Sequence, residues 1–429
     1  MTHLVLDVIG ELHISDYPVT VRIGGRTSEK LLRRIAEVQL LGGGIVSVYN
    51  EDIVMEGLRR FGYPEKEVPA FTNDGCWEIL IPGKTMFGYW PFDALAVFQK
   101  ALFAEKTPEN FEELYEAWLT RLKDTVQEFR RQVLTQFYRA EPDPVSGKVS
   151  FHRKSGAPDA VLSLLMPSCR RTARSYRNFG ARYVVKAIHA GGLPDVANSL
   201  YAIRKFVYEE KRISLEELAG ILRDDWMGHE KLRLELATRL FYYGNDDPGA
   251  DAMMKRVFED YARIAGRRKR VREVLTPVGI STFGREIQFA PNRFATAFGK
   301  HAHEYLASNL SPTPGTDRKP LSAVLNSYCK MDFTLTPNGC PLDIRLSAGI
   351  RKVPDAAGIL CRMLRVFLEK GGFYLQVDTV DPEMLKAAKK DPDRFPNLVV
   401  RISGWSARFA SLSEEWQDMI IRRTALETL

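Results

Sequence analysis

Cysteine is scarce and scattered in this chain. Its five copies (Cys76, Cys169, Cys329, Cys340 and Cys361) are odd in number, and none stands in a C-x-x-C pair among the 429 residues. That excludes a disulfide framework and leaves no spacing for a structural zinc or an iron–sulfur cluster held by the chain itself. Histidine is nearly as rare. His301-Ala302-His303 is a metal-like pair without a third ligand nearby, so no bound metal is expected. No apolar run approaches the roughly 20 residues of a membrane helix. The N-terminus M-T-H-L-V-L-D-V-I-G-E lacks the basic region and cleavage site of a signal peptide, so a cytoplasmic location is expected.

Charge of one sign is not in large excess either. Sixty-one basic against 54 acidic residues leave +7, and most of it is accounted for by Arg267-Arg268-Lys269-Arg270 with Arg272. We read that run as a solvated face near a helix end rather than a nucleic-acid or membrane surface. Internal repeats and low-complexity tracts are absent.

What is present suits a large α/β body. Hydrophobic residues make up 45% of the chain, enough for a substantial core. Val19 to Ile23 reads as a strand and Ser28 to Leu41 as an amphipathic helix. Gly42-Gly43-Gly44 then leads into the strand I-V-S-V-Y. The triple glycine lacks the Lys-Ser/Thr ending of a phosphate loop, so a tight helix-to-strand turn is preferred. Helices are expected from Asp52 to Phe61, Asn110 to Arg139 and Pro194 to Glu210, and another opens at the capping box Ser214 to Glu217. Arg182 to His189 reads as strand, and the polar, proline-marked segment Glu141 to Pro158 as a loop.

Two segments carry chemistry. Near the C-terminus, Leu398, Val399, Val400 and Ile402 form a short β-rich run, and Ser411 with Glu414 has the capping-box spacing for a helix bearing Trp416, Met419 and Ile420. Gly404 sits between them. Taken alone, such a glycine only permits a backbone angle that other residues avoid. The second segment is D-G-C-W-E, with Cys76 after Gly75 and two residues before Glu78. Taken alone, Cys76 reads as a small buried hydrophobe.

The context of both changes the reading. R-I-S-G-W-S-A-R-F followed by S-L-S-E-E-W-Q-D-M-I-I-R-R-T resembles the radical-bearing C-terminal segment of the glycyl radical enzymes, the pyruvate formate-lyase family. L-S-P-T-P-G-T-D-R-K-P-L and G-G-F-Y-L-Q-V-D-T-V-D-P extend the likeness, and Y-G-N-D-D at 243–247 is similar to the family's loop there. D-G-C-W-E resembles its G-C-V-E loop, with Trp77 in place of the common valine. The chain departs from the family after Phe298-Gly299-Lys300-His301, where a T-P-D-G-R-like turn is replaced by a shorter path to Glu304-Tyr305-Leu306.

The resemblance implies a radical relay. Gly404 would store an unpaired electron on its α-carbon, Cys76 would become a thiyl radical, and Glu78 would move protons. An α-carbon radical flattens, which a side chain would resist, and an S–H bond is comparable in strength to the C–H bonds it trades with. Asp93 in W-P-F-D is a further candidate substrate contact, with helix capping as the alternative. Residue 75 is glycine where acetyl-transferring members carry a second cysteine, so the G-C-x-E form resembles the dehydratases and C–X lyases. Two alternatives stay open: formate C-acetyltransferase activity, or a non-catalytic split subunit.

The implied fold class is α/β, the C-terminal half of a glycyl radical enzyme α/β barrel with surrounding helices. Residues 1–299 would form the barrel part and residues 306–429 the glycyl radical domain. No cofactor is expected to bind directly. The radical would be installed by an activating enzyme using S-adenosylmethionine and a [4Fe-4S] cluster. Other expected partners are a polypeptide supplying the N-terminal half and a small-molecule substrate, with a homodimer one assembly open to it.

Overall fold

Helix α1 (Thr2–Leu12) turns Leu6 and Ile9 inward and leaves Leu4, Val5, Val8 and Leu12 exposed on its other side. The structure, a computed structural model, describes residues 1–12, 19–423 and Leu426; residues 424, 425 and 427–429 of the expected radical domain lie outside the described residues. Strand β1 (Val19–Ile23) buries Val21 and Ile23 and runs parallel to β2 (Val46–Asn50), which is buried at every position. Parallel neighbours need a crossover. Here it is helix α2 (Glu29–Leu40), whose N-cap Ser28 accepts the Leu31 N–H. Gly42, Gly43 and Gly44 end the crossover at φ +91°, +74° and +56°, a left-handed turn that side chains would strain.

The hairpin β3 (Thr72–Asn73) and β4 (Ile79–Leu80) follows, with Cys76 at its tip. Strand β5 (Thr85–Asp93) leads into helix α3 (Ala94–Leu102) and the long helix α4 (Phe111–Phe137). The segment Glu141 to Pro158, expected as a loop, is instead largely ordered as the antiparallel hairpin β6 (Tyr138–Pro142) and β7 (Val149–Arg153). Asp143 closes its turn by accepting the Val145 and Ser146 N–H groups, and Arg153 anchors it to Glu273.

Strand β8 (Tyr183–Gly191) pairs in parallel with β5 on one side and with Val274–Leu275 and β9 (Val278–Ile280) on the other. The helix expected over Pro194 to Glu210 is shorter: α5 (Leu193–Ile203) passes into one wider turn at Arg204–Glu209, closed by the Glu210 N–H on the Lys205 carbonyl. Ser214 does cap its helix, accepting the Glu217 N–H. Helix α6 (Pro248–Gly266) packs against α5 and α4 outside this sheet. The basic run beyond it is exposed, as expected of a solvated face.

Strands β10 (Pro341–Ser347) and β11 (Tyr374–Val380) form a second parallel pair, crossed over by helix α7 (Ala356–Glu369), which packs on α2. β11 lies antiparallel to β2, giving the sheet order β1-β2-β11-β10. The two sheets meet where the Ile280 N–H donates to the Gly339 carbonyl and the Asn338 N–H to that of Val278. The C-terminal hairpin β12 (Val399–Arg401) and β13 (Ser406–Arg408) and helix α8 (Glu414–Arg422) make a satellite core of Val400, Ile402, Phe409, Met419 and Ile420. The helix begins after Ser413 rather than at Ser411, whose hydroxyl donates to the Arg408 carbonyl and so belongs to the preceding turn.

Candidate active site

Gly404 lies at the tip of the β12–β13 hairpin, in a turn closed by the Ile402 N–H on the Trp405 carbonyl at 2.9 Å. Its φ of +81° already favours glycine. Its surroundings forbid anything else, because a Cβ there would stand 2.7 Å from Cys76 Sγ and 2.6 Å from Trp77 Cζ3, and against Cys76 Cβ as well. Since a Cβ lies about 1.5 Å from its Cα, the Gly404 α-carbon is within about 4.2 Å of the Cys76 sulfur. The structure thus brings together two residues 328 positions apart.

The cysteine hairpin is held from below by a buried polar chain. Asn338 donates from Nδ2 to the Ile79 carbonyl at 3.0 Å, and its carbonyl accepts the Ile79 N–H at 3.3 Å. Its Oδ1 faces His189 Nε2 at 2.8 Å, and His189 Nδ1 faces Ser281 Oγ at 2.8 Å. An amide oxygen only accepts, so His189 carries its proton on Nε2 and accepts the Ser281 hydroxyl on Nδ1. Full burial drives the imidazole pKa down to about 4, which keeps it neutral.

Trp77 is the floor of the site. It is fully buried, its ring centroid 5.9 Å from Phe283 and 6.3 Å from Tyr374, and Gly339 at φ +131° leaves room for it. Cys76 is half-buried. Burial, then the acidic groups Glu78 and Asp74, push its thiol up to about 12, so the S–H bond stays intact at neutral pH. Glu78 is 1% exposed. Burial and a hydrogen bond to Asp74 hold its carboxyl well above the usual range and favour its protonated form.

Behind the glycine hairpin the chemistry differs. A cavity of about 70 Å³ is lined by Glu286, Asp343, Arg345, Gln376, Asp378 and Arg401 among others. Arg423 donates from Nη1 to the Arg401 and Ile402 carbonyls at 3.3 and 2.5 Å and so fastens the hairpin, while Arg345 donates to the Ile420 carbonyl of α8. Asp343 Oδ1, Asp378 Oδ1, Glu286 Oε2 and Arg401 Nε are buried without a protein partner. Gly284, at φ +70°, is the point where Trp416 of α8 docks, 2.6 Å from where a Cβ would be.

Asp93 is committed to structural contacts. It caps α3, accepting the Leu95 and Ala96 N–H groups, and receives both Nε and Nη2 of the buried Arg293 at 2.8 and 2.9 Å. Both carboxylate oxygens are therefore engaged by the protein. His301 and His303 diverge, toward Asp225 and the Ala290 carbonyl, and no group of metal ligands exists among the described residues. Among them no helix is long and apolar enough to cross a membrane. Sequence reasoning missed Asp74, Arg401 and the packing role of Trp77. The strand-turn-strand T-N-D-G-C-W-E-I-L was a legible signal for the first, whereas the others depend on segments distant in sequence.

The chain is similar to known proteins over nearly its whole length. Residues 1–290 match the pyruvate formate lyase-like family and residues 306–410 the glycine radical family. The chain is 29% identical over 455 residues to the probable dehydratase YbiW of Escherichia coli (strain K12), aligning 99% of itself with 54% of that protein. It is 25% identical over 448 residues to trans-4-hydroxy-L-proline dehydratase of Clostridioides difficile, again 99% against 54%. Among solved structures, a glycyl radical enzyme from Archaeoglobus fulgidus superposes with a TM-score of 0.87 at 26% identity, covering 99% of this chain and 55% of that one. The B12-independent glycerol dehydratase from Clostridium butyricum gives 0.86 at 23%, a likeness of fold, with 100% and 55% coverage. The chain spans about half the length of the curated relatives it matches. With both family patterns present in order and the glycine hairpin set against the cysteine loop, the chain belongs to the pyruvate formate lyase-like family of glycyl radical enzymes.

Proposed function

We propose that this chain carries the hydrogen-atom relay of a radical dehydratase or C–X lyase. The observation that carries the reading is the approach of the Gly404 α-carbon to the Cys76 sulfur. In this reading the S–H hydrogen of Cys76 passes to Gly404, and the sulfur then takes a hydrogen atom from a substrate carbon. Glu78 gives its proton to the neighbouring leaving group, which departs neutral, while the hydroxyl or amine kept on the radical carbon gives up its own proton to water so that the remaining radical is uncharged. The Cys76 S–H then returns the hydrogen atom to the product. A protonated thiol and a protonated carboxyl are the forms these steps need, and both follow from burial. Gly75 leaves the loop without a second sulfur, which disfavours acetyl transfer.

The substrate class is a small molecule with an abstractable C–H beside a hydroxyl or other leaving group. The radical would be installed on Gly404 by an activating enzyme that reduces S-adenosylmethionine with a [4Fe-4S] cluster. A further polypeptide would cover the exposed apolar stripe of α1 and complete the pocket walls. Anaerobic electron paramagnetic resonance after incubation with such an activase should give a glycine-centred doublet, absent in Gly404→Ala. A native protein that stays silent beside a positive-control substrate of the same activase sinks the reading.

A further inference from the structure

Asp74 and Glu78 flank Cys76 at matching positions of one hairpin. The ladder pairs Thr72 with Leu80 and Asn73 with Ile79. The Asp74 N–H, donating to the Glu78 carbonyl at 3.0 Å, extends it by one step. Residues opposed in this way present side chains on one face with Cβ atoms about 5 Å apart, and two carboxylates so placed repel. Such a pair shares a proton rather than ionising twice.

The surroundings decide where that proton sits. Glu78 is buried and Asp74 is exposed to solvent. The other titratable groups facing them are Cys76 of the same hairpin and Tyr49 of β2, with Arg401 and Asp343 acting on the thiol from the glycine-hairpin side. Glu78 Oε2 accepts the Trp77 N–H at 3.2 Å, while Asp74 Oδ1 accepts the Cys76 N–H at 3.3 Å. The outer carboxyl thus touches the backbone of the thiol residue, the proton-carrying inner carboxyl and water.

We propose that Asp74 and Glu78 form a one-proton dyad, in which Asp74 is a positioning residue that keeps the proton on Glu78 and returns one from solvent after each donation. The proposal rests on Glu78 being the proton donor of the reading above. When Glu78 donates, its O–H bond breaks, a bond from hydrogen to the leaving group forms, and two carboxylates face each other. Their repulsion draws a proton from water through Asp74 back to Glu78, with no electron transferred.

Infrared titration of the unactivated chain reads the dyad without any radical. A protonated-carboxyl band should persist above pH 7 and vanish in Glu78→Gln. In Asp74→Asn its midpoint should fall by about one to three pH units, and Asp74→Glu should restore it. Asp74→Ser keeps an oxygen for the Cys76 N–H, so the same fall there assigns the effect to charge rather than loop shape. An unchanged midpoint in both Asp74→Asn and Asp74→Ser overturns the proposal, as does a band that survives Glu78→Gln. Because no radical is generated, a missing glycine doublet would overturn the relay and leave this result standing, and the reverse also holds.

Discussion

The two sides of the Gly404 hairpin differ in their electrostatics. Facing Cys76, burial and the neighbouring acidic groups outweigh the opposing pull of Arg401, so the thiol and the Glu78 carboxyl are held toward their protonated forms. Facing the cavity, Asp343 and Asp378 lie among Arg345, Arg401 and Arg423, and burial is resisted by opposite charge. Asp343 is raised only to about 6, and Arg345 is lowered to about 10. Desolvation therefore favours protonated groups on one side and leaves an ionic clasp on the other.

The largest expected effect sharpens the neutral side. With its thiol at about 12, Cys76 should react with iodoacetamide at pH 8 about a thousandfold more slowly than a free cysteine, despite being half-exposed. A rate near that of a free thiol, followed by mass spectrometry at Cys76, would break the contrast. On the ionic side, Arg401→Met should destabilise by about 3–5 kcal/mol in urea, because Asp343 and Asp378 lose a buried partner. Adding Asp343→Leu should recover part of that loss, whereas additive losses would mean the clasp is not a network.

Gly404→Ala forces a side chain against Trp77 and Cys76 at a left-handed φ, and we expect about 2–4 kcal/mol lost in the same melts. Trp77→Val, toward the residue common in the family, removes the floor of the site and should cost about 2–3 kcal/mol, with faster alkylation of Cys76 as the site opens. The smallest effect is pH dependence from His189. Its folded pKa lies below the unfolded value, so the unfolded chain binds the proton first as acid is added. Stability is retained above about pH 6.5 and lost as pH falls toward 4, by at most about 3 kcal/mol. Asp195 and Asp343, raised to about 6, work in the opposite direction, losing stability as pH rises through that value. The difference between wild-type and His189→Gln melting curves from pH 4 to 7 isolates the histidine, and a flat difference would refute it.

Much of the fold was legible in advance where local pattern and local chemistry agree. Val19–Ile23 alternates and is a strand, Ser28 and Ser214 cap their helices, and three successive glycines make a turn. Legibility failed where a distant group intervened. The 141–158 segment is polar and looks like a loop, but Glu273, 120 residues beyond Arg153, fastens its hairpin. Ser411 has the right spacing for a capping box, yet Gln417 donates from its side chain to the Phe409 and Leu412 carbonyls and stabilises the turn that displaces the helix start.

The residues themselves determined the kinds of chemistry available: a thiol in a short turn, a carboxyl two positions on, and an unsubstituted α-carbon in a strand-turn-helix segment. Those are properties of neighbouring residues and of motif, readable without coordinates. That the thiol is held toward its protonated form, that Glu78 faces Asp74, that an indole fills the floor and that Arg423 holds the hairpin stem were decided only by packing. Each depends on burial and on charges brought from far along the chain, and neither quantity exists until the chain has folded.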